Sequence, residues 1–352
     1  MQDDTFYFAF EDRYRGSREL IKERLSVYLP FIAPLKEIYD ECLALDLGCG
    51  RGEWLELLEG SGLKARGVDL DSRMLDACRG RGFPVELQDA IEALRALPDE
   101  SQTVISGFHI AEHIPFDALK ELVKEALRSL KPAGLLILET PNPENLIVGT
   151  SSFYLDPTHL RPLPPQLLAF VPEHAGFLRT KILRLQEAVD LAYAKNINLF
   201  DVFSGVSPDY SVVAQKNGKT DHIYKFNSVF EKQYGLTLET LTRKYESGIQ
   251  KDIVKLESKL DIIEEKSRES QRLAAQLGQL NAALFYSLSE QRTLGERAQH
   301  WQIQAEQAQT ELAHRVHELQ AVYASKSWLF TLPLRICLHG LRRLLGRAGT
   351  KR

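Results

Sequence analysis

The sequence predicts a doubly wound α/β domain followed by a long α-helical coiled coil, and three observations carry that expectation. Over roughly the first 225 residues, short apolar runs alternate with stretches of helical period, as in parallel strands joined by crossover helices. The first clear strand opens into a glycine-rich turn. Beyond Pro208, about 124 residues pass without a proline, and their apolar positions fall 4, 3, 4, 3 apart.

In chain order, residues 1–38 read as an N-terminal helical lid, in which aromatic residues and arginines precede an amphipathic stretch that stops at Pro30. Tyr14 and Arg18, four apart on one helical face, are its candidates for a pocket contact. ALDLG, ARGVDL, FPVEL, TVISGFHI and LLILET read as strands bounded by turn residues. Between them, EWLELLEG, SRMLDACRG, DAIEALRAL and FDALKELVKEALRSL repeat near 3.6. Arg184–Gln186 and Tyr210–Gln215 supply two further strands, closing a domain of residues 39–225.

Residues 235–325 read as the coiled coil. Ile249, Ile253, Leu256, Leu260 and Ile263 form a seam that resumes through Leu273, Leu277, Leu280, Leu284 and Leu288. A change of spacing near Ser267–Ser270 predicts local unwinding. At ~1.5 Å per residue the segment would reach ~135 Å. A lone helix cannot bury such a stripe, so a homo-oligomer is expected, with a helical hairpin as the alternative. No Gly/Pro cluster interrupts the pattern to make that turn.

Composition narrows the function classes. The chain has 352 residues, with 44 Lys and Arg against 48 Asp and Glu, a formal net charge of −4. Residues 326–352 hold seven of those basic residues and no acid, which leaves −11 on residues 1–325. An acidic body argues against nucleic acid as a partner, because phosphate binding draws on clustered Lys and Arg. Four cysteines without a CxxC pair fit a reduced, cytoplasmic protein lacking a structural zinc. The acidic, mixed start reads as no signal peptide. No run of ~18 apolar residues offers a spanning helix.

The chemistry gathers where strands end. The strand at 43–47 runs into Asp46-Leu47-Gly48-Cys49-Gly50-Arg51-Gly52-Glu53. Three glycines at alternate positions let the backbone turn sharply and approach a ligand closely. The next strand ends at Asp69, 17 residues beyond Gly52, where a carboxylate can accept both hydroxyls of a ribose. A nicotinamide-type dinucleotide fold is the alternative. Against it, the pattern is GxGxG led by Asp46 rather than GxGxxG, and Gln88-Asp89-Ala90 places an acid where an adenine amine could meet it.

In this order, DLGCGRGE, GVD, QDA, SGFHIAEHI and LKPAGLLILETPNPEN resemble the class I S-adenosylmethionine-dependent methyltransferases over roughly residues 40–215. The resemblance implies a seven-stranded Rossmann-like methyltransferase sheet with a reversed last strand, and S-adenosyl-L-methionine as cofactor. It implies that Gly48, Gly50 and Gly52, with Asp46 and Cys49 in the same loop, lie beneath the methionine part. Asp69 would bind the ribose, Asp89 and Ala90 the adenine, and Phe108 or His109 would form the cofactor wall.

Methyl transfer is an in-line displacement from a sulfonium, so the protein must align the acceptor and remove its proton if it is a hydroxyl. His109, Glu112 and His113 stand at spacings of 3 and 4 where a strand passes into a helix, and His159 follows in a later polar segment. Ligands in this topology sit outside the carboxyl ends of the strands, which is where these residues fall. The cluster resembles the metal-assisted O-methyltransferases of vicinal diols, of small-RNA terminal-ribose and ubiquinone-pathway type, which place ExxEH here. His109 stands where their first Glu stands. Three readings are open. His109, Glu112, His113 and His159 hold a divalent metal, three His and one Glu favouring Mn, Fe, Co or Zn over Mg. Alternatively, His159 or His113 is a base beside Glu112 without a metal, or the cluster only shapes the pocket.

The tail, 326–352, sets Trp328, Phe330 and a series of leucines among clustered arginines. It reads as a basic amphipathic helix lying on an anionic membrane surface, with pairing to a protein partner as the alternative. Methyltransferase, rod, and a tail opening Ser325-Lys326-Ser327-Trp328 together resemble the O-antigen chain-terminating methyltransferases of Gram-negative bacteria. FEDRYRGSRELIKERLSVYLPF is similar to the start of methyltransferases from polysaccharide clusters. The resemblance implies methylation of the non-reducing terminal sugar of a polysaccharide acceptor, which ends elongation and sets chain length in lipopolysaccharide biosynthesis. It also implies a membrane-associated glycosyltransferase (the polymerase) as partner and a peripheral place on the cytoplasmic face of the inner membrane. Some of these enzymes carry a kinase before the rod. The roughly 20 residues after Gln215 leave no room for one, so direct O-methylation of a sugar hydroxyl is expected. Other readings are a methyltransferase of a quinone or an RNA 3′ end, and a catalytically idle scaffold, against which the intact DLGCGRG, Asp69 and Asp89 speak.

Overall fold

Seven strands form one sheet in the order β3-β2-β1-β4-β5-β7-β6, in a computed structural model that describes residues 16–290 and 295–331. β1 (Leu43–Leu47), β2 (Lys64–Asp69), β3 (Val85–Leu87), β4 (Gln102–Phe108) and β5 (Leu130–Pro141) run parallel. β7 (Asp209–Gln215) lies antiparallel between β5 and β6 (Arg179–Leu185). The expected α/β sheet and its reversed last strand are both present. Strand order changes direction between β1 and β4, the place where such a sheet opens a crevice at its carboxyl edge.

The central strands read as nearly continuous apolar runs because helices cover both faces. On one face, Ala44 and Ile137 pack with Trp54, Leu55 and Leu58. On the other, Leu45, Leu47 and Leu138 pack with Leu119, Leu122, Val123 and Leu168. The principal helices responsible are α1 (Arg18–Leu25), α2 (Glu53–Gly60), α3 (Ser72–Arg79), α4 (Ala90–Arg95), α5 (Phe116–Ser129) and α6 (Pro165–Ala175). Each fully buried Leu, Ile or Phe contributes roughly 1.5–3 kcal/mol by leaving water. Ser17 caps α1 by accepting from the Leu20 amide. Beyond α1, Tyr28, Phe31 and Leu35 are fully buried, so this N-terminal segment is part of the core. Tyr14 lies outside the described residues.

Two boundaries differ from the sequence reading. β6 spans Arg179–Leu185, not Arg184–Gln186, and Gln186 leaves the strand with φ +67°. β6 is the edge strand, and its Arg179, Thr180 and Lys181 remain half exposed, so no apolar run announces it. Packing also continues past residue 225. Phe226, Phe230 and Leu241 are buried, and the Phe31 and Phe230 rings meet edge-on at 5.6 Å.

The chain divides into two compact units, residues 1–249 and 250–352. Two long helices follow the sheet, α7 (Leu238–Glu290, 53 residues) and α8 (Gly295–Ala324, 30 residues). α7 is unbroken across 267–270, so the change of seam spacing there does not unwind it. The segment is rich in Glu, Lys, Arg and Gln, which favour helix, and Arg268 pairs with Glu264 one turn earlier. On α7 the seam residues Leu256, Leu273 and Leu280 stay exposed in the single chain. Among the described residues no helix is long and apolar enough to cross a membrane. Of the tail, Lys326–Phe330 is helical, and residues 332–352 lie outside the described residues.

Candidate active site

The loop after β1 is shaped by three glycines in the left-handed region, Gly48 (φ +67°), Gly50 (φ +52°) and Gly52 (φ +79°). At Gly52 a side chain would also sit 3.0 Å from Cys78 Sγ and 3.1 Å from Phe83 Cδ2. The amides of Gly48 and Cys49 both donate to the Val68 carbonyl, at 2.8 and 3.0 Å. Asp69 accepts from the Gly50 amide at 2.8 Å and from the Asp71 amide at 2.9 Å, so it ties the loop to the end of β2. Asp46, buried beneath the loop, accepts from the Ser106 hydroxyl at 2.7 Å and clips β1 to β4. Cys49 fills the space that a side chain at Gly67 would need, and the Cys78 thiol donates to the Gly50 carbonyl at 3.2 Å. The neighbouring Cys78, with burial, pushes the Cys49 thiol far up, so it stays protonated.

Asp89 is exposed and caps α4, accepting from the Ile91 and Glu92 amides at 2.8 and 3.1 Å, and Ala90 opens that helix. Phe108, at the end of β4, packs against Trp54 and Tyr28 with ring centroids 5.5 Å away in each case. A glycine cradle with carboxylates at the ends of β2 and β3 fits S-adenosylmethionine: acids for the ribose hydroxyls and adenine amine, open backbone for the amino-acid end. Arg18 stands at the outer turn of this loop. Its guanidinium donates to the Arg51 carbonyl at 2.6 Å and to Glu56 at 2.9 Å, and lies 3.3 Å from Glu53. Arg51 in turn donates to the Gly16 carbonyl at 3.0 Å, which closes a reciprocal clasp.

Farther along the carboxyl edge, His109 leaves β4 with φ +54°, its amide donating to the Glu139 carbonyl at 2.9 Å. That turn sets the imidazole between two acids, Nδ1 3.1 Å from Glu112 Oε1 and Nε2 3.7 Å from Glu139 Oε1. Burial opposes charging of this ring, but hydrogen bonds to Glu112 and Glu139 outweigh it and hold the ring well above the usual imidazole value. The two acids thus favour its charged form. Glu112 is pushed up by burial and pulled further down by His109, and its Oε2 accepts from the Thr140 hydroxyl at 2.9 Å.

His113 shares a hydrogen bond with Thr158 Oγ1 at 2.9 Å, and burial draws its pKa down, so the ring is neutral. His159 donates from Nδ1 to the Phe153 carbonyl at 2.6 Å. The two rings meet edge-on at 4.6 Å, because the Leu160 amide donates to the Glu112 carbonyl at 2.8 Å and pins the segment there.

Of the four residues grouped as metal ligands by sequence, three converge. The ligand atoms of Glu112, His113 and His159 lie within 4.8 Å of one another. His109 joins a different set instead, with Glu139 and Asp209, again within 4.8 Å. Strand alternation gives the reason. Glu139 and Asp209 share the face of Ile137 and Val213, whereas Thr140, the partner of Glu112, shares that of Leu136 and Leu138. In the first set each imidazole has its Nδ1 held by a protein oxygen, which leaves Nε2 for an ion. Two imidazoles and a carboxylate fit Mn, Fe, Co or Zn.

Sequence reasoning missed four members of this edge. Tyr28 donates to Glu139 Oε2, Gln186 donates to Glu139 Oε1 at 3.2 Å, and Asp209 opens β7. Glu139 and Asp209 were findable as single acids at the ends of apolar strands. Tyr28, 111 residues from its partner, carried no such signal.

The chain matches the family model of a methyltransferase domain over residues 45–138. It is 34% identical to a SAM-dependent methyltransferase of known structure from Archaeoglobus fulgidus, covering 60% of this chain and 100% of that one with a TM-score of 0.54. It is 32% identical over 133 residues to a protein of Mycolicibacterium smegmatis named as an S-adenosylmethionine-dependent methyltransferase, 38% of this chain and 51% of that protein. It is also 32% identical over 104 residues to the ubiquinone biosynthesis O-methyltransferase of Thiobacillus denitrificans, 28% of this chain and 44% of that protein. The chain thus spans about half the length of the curated relatives it matches.

Proposed function

Because the chain belongs to the S-adenosylmethionine-dependent methyltransferases, we propose that it methylates a hydroxyl of the non-reducing terminal sugar of a lipopolysaccharide O-chain, ending elongation and setting chain length. The observation that carries the choice of a hydroxyl is the run of carboxylates and imidazoles along the carboxyl edge, where an acceptor must lie. S-adenosylmethionine, when bound, supplies a methyl group on a sulfonium. Gly48, Gly50, Gly52 and Asp69 hold it, Asp89 and Ala90 meet the adenine, and Phe108 with Trp54 closes the wall. The acids and imidazoles beyond Phe108 orient the acceptor and move its proton.

The order of the parts supports the polysaccharide acceptor. The exposed seam on α7 is a surface for a second copy of the chain, which would make a coiled-coil homo-oligomer. The basic tail would hold it to the anionic cytoplasmic face of the inner membrane, beside a membrane-bound glycosyltransferase. Deleting the gene should lengthen or deregulate the O-chains and remove a terminal methyl sugar. Unchanged chain length and an unchanged end group would refute the reading.

The convergence of Glu112, His113 and His159 favours a second reading, a metal-assisted methyltransferase of a vicinal diol such as a quinone precursor or an RNA 3′ end. Stoichiometric Mn, Fe, Co or Zn in purified protein, lost together with activity in His159→Ala, would support it. Full activity in that variant without bound metal would exclude it. Absence of any S-adenosylmethionine binding by calorimetry would instead leave an idle scaffold.

A further inference from the structure

Proton removal from an acceptor hydroxyl requires a basic atom with a free lone pair at the carboxyl edge of the sheet, beside the wall formed by Phe108. Most acids there are already engaged. Glu112 binds His109 and the Thr140 hydroxyl, and Glu139 receives Tyr28 and Gln186. Glu144 is held at both oxygens by Arg184, at 2.6 and 2.9 Å, and Asp156 takes the Thr158 amide and hydroxyl. Asp209 differs. Among the described residues no hydrogen bond reaches its carboxylate, and it is half-buried at the first position of β7, in register with Pro141.

We propose that Asp209 binds the acceptor hydroxyl and takes its proton during methyl transfer, an inference that rests on reading the chain as an O-methyltransferase. Its carboxylate lies within 4.8 Å of the ligand atoms of His109 and Glu139. It shares a sheet face with Tyr28, Trp54 and Phe108, the residues that pack beside the glycine loop. His113 and His159 gather with Glu112, which bonds to Thr140 on the opposite face. His109 is unsuited to the task, since both of its ring nitrogens face carboxylates, Nδ1 Glu112 and Nε2 Glu139, which favour its charged form.

The step balances without a further reactant. The acceptor oxygen bonds the methyl carbon as the carbon–sulfur bond breaks, and sulfur keeps that electron pair and becomes a neutral thioether. The hydroxyl proton passes to Asp209, which becomes a neutral acid. The groups facing Asp209 include His109 and Glu112 after β4, Glu139 in β5, Arg24 in α1 and Tyr28 in the segment that follows α1. Burial pushes its carboxyl up, His109 draws it down and Glu139 raises it again, leaving it at about 6. A base is most effective when its pKa lies near the working pH.

The test uses the full-length chain and Asp209→Asn, with a panel of methyl glycosides and with catechol, whose hydroxyl ionises more readily. Loss of a general base costs roughly 10²–10⁴ in rate. The glycoside turnover of Asp209→Asn should fall by at least about 100-fold, its loss on catechol should be much smaller, and Asp209→Glu should recover part of the rate. Calorimetry should give an unchanged S-adenosylmethionine affinity for Asp209→Asn. Wild-type-like glycoside turnover in Asp209→Asn would overturn the role of Asp209 and leave hydroxyl methylation standing. A parallel loss of cofactor affinity would assign Asp209 to the cofactor and overturn it equally. A wild-type protein that methylates amine or thiol probes but no hydroxyl would remove the underlying reading, and the inference with it.

Discussion

Gly52 is the position where backbone conformation and packing can be separated by experiment. A methyl group there meets two costs. A left-handed φ of +79° is disfavoured for an L-residue by roughly 1–2 kcal/mol. The new carbon would also stand 3.0 Å from Cys78 Sγ and 3.1 Å from Phe83 Cδ2, and overpacking of this kind costs typically about 1–3 kcal/mol. Gly82 provides the control, with φ +85° and nothing within 4 Å of the position its Cβ would take. Gly82→Ala should therefore lose only the conformational part, about 1–2 kcal/mol. Gly52→Ala should lose about 2–5 kcal/mol, the two costs together. With a urea slope of about 1–3 kcal/mol per M, the difference separates the two midpoints by roughly 1 M. Urea unfolding of the full chain followed by near-ultraviolet circular dichroism measures it. Calorimetry should show a weakened S-adenosylmethionine affinity in Gly52→Ala alone, since only that substitution displaces the loop tied to Asp69. Equal midpoints and equal affinities in the two variants would refute the reasoning.

Other outcomes follow from the clasp and the buried acids. Arg18→Ala removes the bonds to the Arg51 carbonyl and Glu56 while Arg51 still pairs with Glu53, so a loss of about 1–2 kcal/mol and faster proteolysis before residue 25 are expected. A proteolysis pattern like that of the wild type would count against the clasp. Tyr28→Phe deletes a buried donor to Glu139 and should lower stability by roughly 1–3 kcal/mol, read as a shift in the urea midpoint, and no shift would show the bond to be dispensable. Asp209 has a folded-state pKa of about 6, above the ordinary carboxylate value of about 3.9. Its ionised form is therefore the destabilised one, and its contribution to stability increases as pH falls from about 6 to about 4. Asp209→Asn should flatten that part of the stability–pH curve and be the more stable protein near pH 8. An unaltered curve would contradict the burial argument.

Much of the fold was legible because its signals are local. The apolar runs ALDLG and LLILET, the period of FDALKELVKEALRSL and the glycines at 48, 50 and 52 are properties of consecutive residues. Strand, helix and tight turn depend mainly on such short-range preferences. β6 was misplaced for the complementary reason. An edge strand with polar residues along one side has no apolar run, and only pairing with β7 defines its limits.

The candidate site divides in the same way. HxxEH was visible as a cluster, but its spacing could not say which oxygens each imidazole would find. The left-handed turn at His109 sends that ring between Glu112 and Glu139, and strand alternation places Glu139 and Asp209 on the face opposite Thr140. By itself the sequence determined the methyltransferase sheet, the order of its ligand loops and the heptad seam, all encoded in neighbouring residues. Only the tertiary structure decided that His109, while bonded to Glu112, gathers with Glu139 and Asp209 rather than with His113 and His159, that Tyr28 reaches Glu139, and that no hydrogen bond among the described residues reaches the Asp209 carboxylate. Those outcomes depend on strand order, register and burial, which bring together groups more than 100 residues apart in the chain.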